Sequence, residues 1–159
     1  MPVTSNTFFS SLAFLAASAA VACAQQPGVL TIPDPPKLVV KRTENPSYAL
    51  KVSIKPGYHA NSNKPSEDYL IPLKLTWEPG ALEVEEVIYP KPKHEQFSFS
   101  EKPLSIFDGE FEIVTKFKRS ANPPLGPGFL AGKLRYQACN DKMCLPPKSI
   151  EVKLPVLMQ

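Results

Sequence analysis

EFEIVTKFK at residues 110–118 and SIEVKLPV at residues 149–156 decide the fold. In the first, Phe111, Ile113, Thr115 and Phe117 alternate with charged or smaller neighbours. In the second, Ile150, Val152, Leu154 and Val156 alternate with Ser149, Glu151, Lys153 and Pro155. A period of two puts every other side chain on one face, which suits a strand with one side buried and the other wet. Working outward, short β-rich runs of the same kind occupy Leu38–Lys41, Tyr48–Ile54, Tyr69–Trp77, Leu82–Tyr89 and Gly132–Ala138, separated by Pro, Gly and Asn. No comparable helical period occurs from Lys37 onward. The 19 prolines agree, since proline is excluded from helix interiors and central strands but tolerated at edges and turns. Seven short strands at this spacing predict an all-β, immunoglobulin-like antiparallel β-sandwich.

Two long connections stand out. KPGYHANSNKPSED at 55–68 is polar, and PKPKHEQFSFSEKPLSIFD at 90–108 sets Phe97 and Phe99 among polar neighbours. Connections of that length in a compact domain are usually functional or disordered. Both are expected to be exposed loops.

The chain has 159 residues and a net charge of +3, which suits one domain. Its basic residues form no stripe, and the aromatic motifs of RNA-binding modules are absent, so nucleic acid is not an expected partner. Residues 1–24 carry no Lys, Arg, Asp or Glu, and Phe8 to Cys23 is an almost unbroken run of apolar and small residues ending in Ala22-Cys23-Ala24. That pattern reads as a secretory signal peptide cleaved before Gln25, although basic residues are missing from its start. The run is shorter than the roughly 20 residues a membrane-spanning helix needs. Ala20-Val21-Ala22-Cys23 is a poor lipobox, so a membrane association is expected only if Cys23 is lipidated. The expected organisation is a signal peptide at 1–24, a proline-rich extended leader at 25–36 and one β-sandwich domain at 37–159. The expected location is the periplasm or the exterior.

After cleavage two cysteines remain, Cys139 and Cys144, which in an oxidising compartment normally form a disulfide. Asn140-Asp141 between them is turn chemistry, and strand-like runs flank them, so the two should face each other across a four-residue hairpin loop. Opposed antiparallel residues have Cα atoms about 4.5–5.5 Å apart, inside the roughly 4.4–6.8 Å a disulfide requires. Pro146 and Pro147 cannot donate to a ladder, which places the pair near an edge. Closing a six-residue ring stabilises by only about 2 kcal/mol, a weak way to join two sheets. Lys142, Arg135 and Lys133 can favour a thiolate, partly opposed by Asp141. Three readings remain open on these grounds: a redox-active pair, a structural staple, and a metal site completed by His59 and His94. The metal reading is weakened because those histidines stand 35 positions apart, and each alone reads as a loop or surface histidine. No Ser/His/Asp grouping, phosphate-binding loop or paired carboxylates are legible, and no cofactor is expected. Glu83, Glu85 and Glu86 read as a solvated strand face, and Trp77 as a core residue.

The segment RYQACNDKMCLPPKSIEVKLPV, Arg135 to Val156, closely resembles the end of the N-terminal periplasmic domain of the DsbD thiol:disulfide interchange family. Gly57 to Trp77 and Ile106 to Glu110 resemble upstream blocks of the same domain, so the likeness spans about residues 37–157. Tyr136-Gln137 before Cys139 and Pro146-Pro147 after Cys144 are its specific part. The resemblance implies an immunoglobulin-like sandwich with Cys139 and Cys144 as the exchanging pair, Cys144 being the one bonded to the partner. It implies a cap loop in which Phe97 or Phe99 shields the disulfide. It further implies electron transfer to thioredoxin-fold envelope proteins from a DsbD-type membrane donor. Because the chain ends at Gln159, that donor is expected to be a separate polypeptide. The four-residue gap between the cysteines is slightly shorter than in the best-known members. The expected activity is protein-disulfide reduction or exchange; the alternative is a non-catalytic protein-binding sandwich with a structural hairpin disulfide.

Overall fold

The computed structural model describes residues 28–159, so the signal segment and Cys23 lie outside the described residues. Every regular element among the described residues is a strand. In chain order these are β1 (Leu30–Thr31), β2 (Leu38–Val40), β3 (Ser47–Ile54), β4 (His59–Asn61), β5 (Lys74–Trp77) and β6 (Leu82–Ile88). They continue as β7 (Lys93–Glu95), β8 (Leu104–Phe107), β9 (Glu110–Arg119), β10 (Gly126–Tyr136), β11 (Ala138–Cys139) and β12 (Lys148–Met158). The strands form three four-stranded sheets, ordered β1-β3-β9-β6, β2-β12-β10-β5 and β11-β4-β8-β7. Pairing is antiparallel except between β2 and β12, which run parallel.

The first two sheets make the immunoglobulin-like sandwich. Alternation along β9 and β12 turns Ile113, Phe117, Val152, Leu154 and Val156 into one core with Leu50, Val52 and Ile54 of β3 and Leu134 of β10. Each such side chain stabilises by roughly 1.5–3 kcal/mol when taken from water. Trp77 packs edge-on to Tyr48 and Phe117, and its Nε1 donates to the buried Thr115 Oγ1 at 3.0 Å. Gly132 stands opposite Trp77, where an added Cβ would meet Cε3 of the ring at 2.7 Å. The exposed face of β6 carries Glu83 and Glu86, which pair with Lys118 and Lys116 of β9.

Several sequence expectations are corrected. The run Tyr69–Trp77 narrows to a strand over Lys74–Trp77, and Tyr69 is exposed. Leu30–Thr31 of the leader pairs with Ile54 and Ser53, and Leu30 is buried, so this part of the leader packs. The two presumed loops hold most of the third sheet. Residues 59–62 in the middle of the first are buried, as is β8 in the second. β8 pairs on one side with β4 and on the other with β7. Those strands are two to four residues long, too short to show a period, and β4 pairs with β8 and β11, which lie far away in the chain.

Candidate functional site

The third sheet is made by short continuations of sandwich strands, and it carries the cysteines. After β3, Lys55-Pro56-Gly57-Tyr58 turns with Tyr58 N–H donating to Lys55 C=O at 3.1 Å. Gly57 has a φ of 83°, which a glycine adopts without strain. This turn delivers His59. After β8, Asp108-Gly109 turns into β9, with Gly109 at φ 62°. After β10, the chain passes Gln137 and enters β11, the edge of the third sheet.

Cys139 and Cys144 are joined by a disulfide and face each other in an antiparallel bridge. Asn140 forms the turn: its Oδ1 accepts from the N–H groups of Lys142 and Met143 at 2.9 and 2.8 Å, and its own N–H donates to Met143 C=O. Leu145 N–H returns to Ala138 C=O at 2.8 Å, and Gln137 Nε2 donates to Leu145 C=O at 3.1 Å. Pro146 and Pro147 then interrupt the pairing before β12 begins. This pinched hairpin brings the cysteine Cα atoms to 3.9 Å, nearer than the about 4.5–5.5 Å of ordinary opposed residues. The two cysteines are not equivalent. Cys139 is 1% exposed and lies in β11, whereas Cys144 and its neighbour Met143 are exposed.

His59 is the register partner of Cys139 across β4 and β11. It is not a surface residue: only 5% is exposed, and its Nε2 is buried without a hydrogen-bond partner. Burial lowers its pKa below the ordinary histidine value, while the charges of Glu95 and Asp108 oppose that shift. Phe97 stacks on the imidazole at 4.3 Å between centroids, and Phe99 stacks on Phe97 at 5.3 Å. Phe97 is half-buried against a small cluster of Leu70, Leu104 and Ile106, so it is more than an exposed loop aromatic. Phe99, at 46% exposed, fits that description. Ser62 and Ser105 hydroxyls, 2.8 Å apart and buried, help fasten β4 to β8 beneath this segment.

A cleft of about 390 Å³ is bounded by Tyr58, His59, Glu95, Phe97, Asp108 and Asp141, so the inter-cysteine loop and the 96–103 segment share one hollow. Asp108 Oδ1 lies 2.6 Å from Lys93 Nζ, an ion contact made outside hydrogen-bond geometry. Lys142 is exposed in the hairpin loop. Lys133 and Arg135 project from β10, opposite Glu151 and Ser149 of β12. His94 is exposed on β7 opposite Ser105, away from the pairing that joins His59 to Cys139. Among the described residues no three His, Cys, Asp or Glu side chains are grouped to hold a metal. The partnership of His59 with Cys139 was missed in the sequence, where Tyr58-His59-Ala60-Asn61 carries no periodic signal.

Chemically, a disulfide with one sulfur-bearing residue exposed and the other buried can be opened from one side and closed from the other without moving the sandwich. Two solved structures resemble the chain. The N-terminal periplasmic domain of ScsB from Proteus mirabilis aligns over 79% of this chain with a TM-score of 0.53 and 16% identity. At that identity the likeness speaks for the fold alone, and the chain spans 44% of that ScsB chain. The reduced DsbD N-terminal domain from Neisseria meningitidis covers 67% of this chain and 74% of its own, at 18% identity and a TM-score of 0.46. No curated protein sequence matches the chain. The model of the family described as thiol:disulfide interchange protein DsbD, N-terminal, matches residues 30–155, and the chain belongs to that family.

Proposed function

We propose that the chain passes electrons between envelope redox proteins by thiol–disulfide exchange at Cys139 and Cys144, with Cys144 as the sulfur that meets the partner. The observation that supports this most is the asymmetry of the pair: an exposed Cys144 and a buried Cys139 on a hairpin at a sheet edge. In the reduced chain, the Cys144 thiolate attacks a partner disulfide and forms a mixed disulfide. Cys139 then attacks Cys144, the Cys139–Cys144 bond closes, and the partner leaves as a dithiol. Two electrons pass from the pair to the partner. Phe97 and Phe99 act as the cap that keeps unintended thiols from this bond. The proposed partners are thioredoxin-fold envelope proteins, with a DsbD-type membrane protein as electron donor.

Removing the resolving sulfur tests this. Cys139→Ser is expected to accumulate a covalent complex through Cys144 with a thioredoxin-fold protein of the same envelope, and Cys144→Ser to accumulate far less. Losing the six-residue ring should cost only about 2 kcal/mol. If neither variant captures a partner and both lose much more stability, the bridge is a structural clasp. Export is part of the proposal, and the mature chain recovered from the envelope should begin at Gln25. A cytoplasmic protein retaining residues 1–24 would end the periplasmic reading.

A further inference from the structure

A row of three chemically capable residues crosses the third sheet. β4 lies between β11 and β8, so its residues have partners on both sides. On one side His59 is opposed to Cys139. On the other, Ala60 is opposed to Phe107 and Asn61 to Ile106. Continuing that register by one residue sets Asp108 opposite His59. Directly opposed residues of antiparallel strands present their side chains on one face. Cys139, His59 and Asp108 therefore share a face in that order, and His59 and Asp108 line the same cleft.

The imidazole is buried, yet its Nε2 has no hydrogen-bond partner in the disulfide-bonded state. A buried polar atom left unpaired calls for an explanation, and a redox or catalytic role is one of the few that fit. With the disulfide closed, Cys139 has no proton to offer. On reduction it gains an S–H donor in the position next to His59. We propose that His59 is the general base of the exchange, its Nε2 taking the thiol proton of Cys139 as that sulfur attacks the mixed disulfide, while Asp108 steadies the imidazolium. This rests on the exchange reading above and adds the proton's route to it.

The step balances. The Cys139 S–H bond breaks and the proton moves to Nε2; the Cys139–Cys144 bond forms as the Cys144–partner bond breaks, and the electron pair of that bond leaves on the partner thiolate. The imidazolium then returns its proton to that thiolate or to water. The pair is oxidised and the partner disulfide reduced. The surroundings suit a base that starts neutral. Burial disfavours the imidazolium, while Glu95 on β7 and Asp108 after β8 favour it once formed. Asp141 from the hairpin lines the same cleft, and Lys93 offsets part of the charge of Asp108. A packing histidine stacked on Phe97 would affect stability but would not govern the pH dependence of one chemical step.

The full-length reduced chain can be followed with 5,5′-dithiobis(2-nitrobenzoate). The first release of chromophore reports attack by Cys144, and the second reports closure by Cys139. In His59→Gln the second phase is expected to slow roughly tenfold or more at pH 7, as for loss of a general base, with the first phase unchanged. The gap should close in strong alkali, where the buried thiol ionises unaided. Asp108→Asn should show a smaller loss with the same pH dependence. An unchanged second phase, or equal slowing at every pH, overturns the proposal. A second measurement needs no variant: in the wild-type chain the ¹⁵N shift of His59 Nε2 should change when the disulfide is reduced, as it gains the Cys139 donor. An identical shift in both redox states also overturns it. Failure of wild-type exchange with every partner would sink the functional reading through the trapping experiment, while these two measurements would still judge His59 on its own.

Discussion

At the scale of single residues, the site contrasts what composition announces with what burial decides. Two cysteines five positions apart, around Asn-Asp, announce their own pairing, because a hairpin and a disulfide are both local events. His59 announces nothing: it sits in a polar stretch, and its burial comes from β8 and β11, which are distant in sequence. That burial has a consequence for stability. The folded-state pKa of His59 lies below its ordinary value, so between the two values the unfolded chain binds more protons than the folded one. Stability therefore rises with pH through this window and is lost as pH falls below about 6.5, the ordinary histidine value. Urea midpoints of the oxidised wild-type chain should fall between pH 7 and pH 5, and His59→Gln should flatten that part of the curve. Parallel falls in the two proteins would assign the pH sensitivity to other groups.

At the scale of elements, long strands were legible and short ones were not. Tyr48–Ile54, Leu82–Tyr89, Glu110–Lys118 and Ser149–Val156 each match an observed strand to within a few residues; in all but Leu82–Tyr89, whose alternation breaks at Glu85-Glu86 where β6 bulges, seven or more alternating positions define a buried face. β4, β7, β8 and β11 offer two to four positions each, and β8 is buried throughout, so no alternation exists to be read. The 90–108 connection therefore looked like one long loop, although only its centre is free of strands. This divides the proposed cap into two unlike aromatics. Phe97 packs on His59, Leu70, Leu104 and Ile106, whereas Phe99 lies outside it. Phe97→Ala should cost about 2 kcal/mol, around half the loss of a fully buried phenylalanine, and should speed reaction of the disulfide with a small thiol several-fold. Phe99→Ala should leave stability nearly unchanged and accelerate the reaction less. Equal reactivity of both variants and the wild type would show that neither ring screens the bond.

At the scale of the whole molecule, the sandwich serves as a frame, and the proposed exchange site rides on short extensions of its strands. β3, β9 and β10 belong to the core, and their continuations through Gly57, Gly109 and Gln137 lead into the sheet that holds His59 and Cys139, with Asp108 just past the end of β8. Anything that loosens the frame near those exits should loosen the site. The start of the described chain is such a place. Leu30 is 1% exposed and pairs with Ile54, the last residue of β3, while Lys55 N–H donates to Val29 C=O at 2.9 Å just before the turn that delivers His59. The sequence left 25–36 outside the packed domain because its four prolines obscure a two-residue strand. A chain beginning at Lys37 would lose Leu30 and the backbone bond to Lys55. Its stability should drop by about 2–3 kcal/mol relative to a chain beginning at Gln25, the value for uncovering one buried leucine. Hydrogen exchange should show the loss concentrated in residues 54–61, with β12 protected as before. If the two chains unfold at the same urea concentration and exchange alike, β1 is an appendage, and the frame of the cysteine site begins at residue 37.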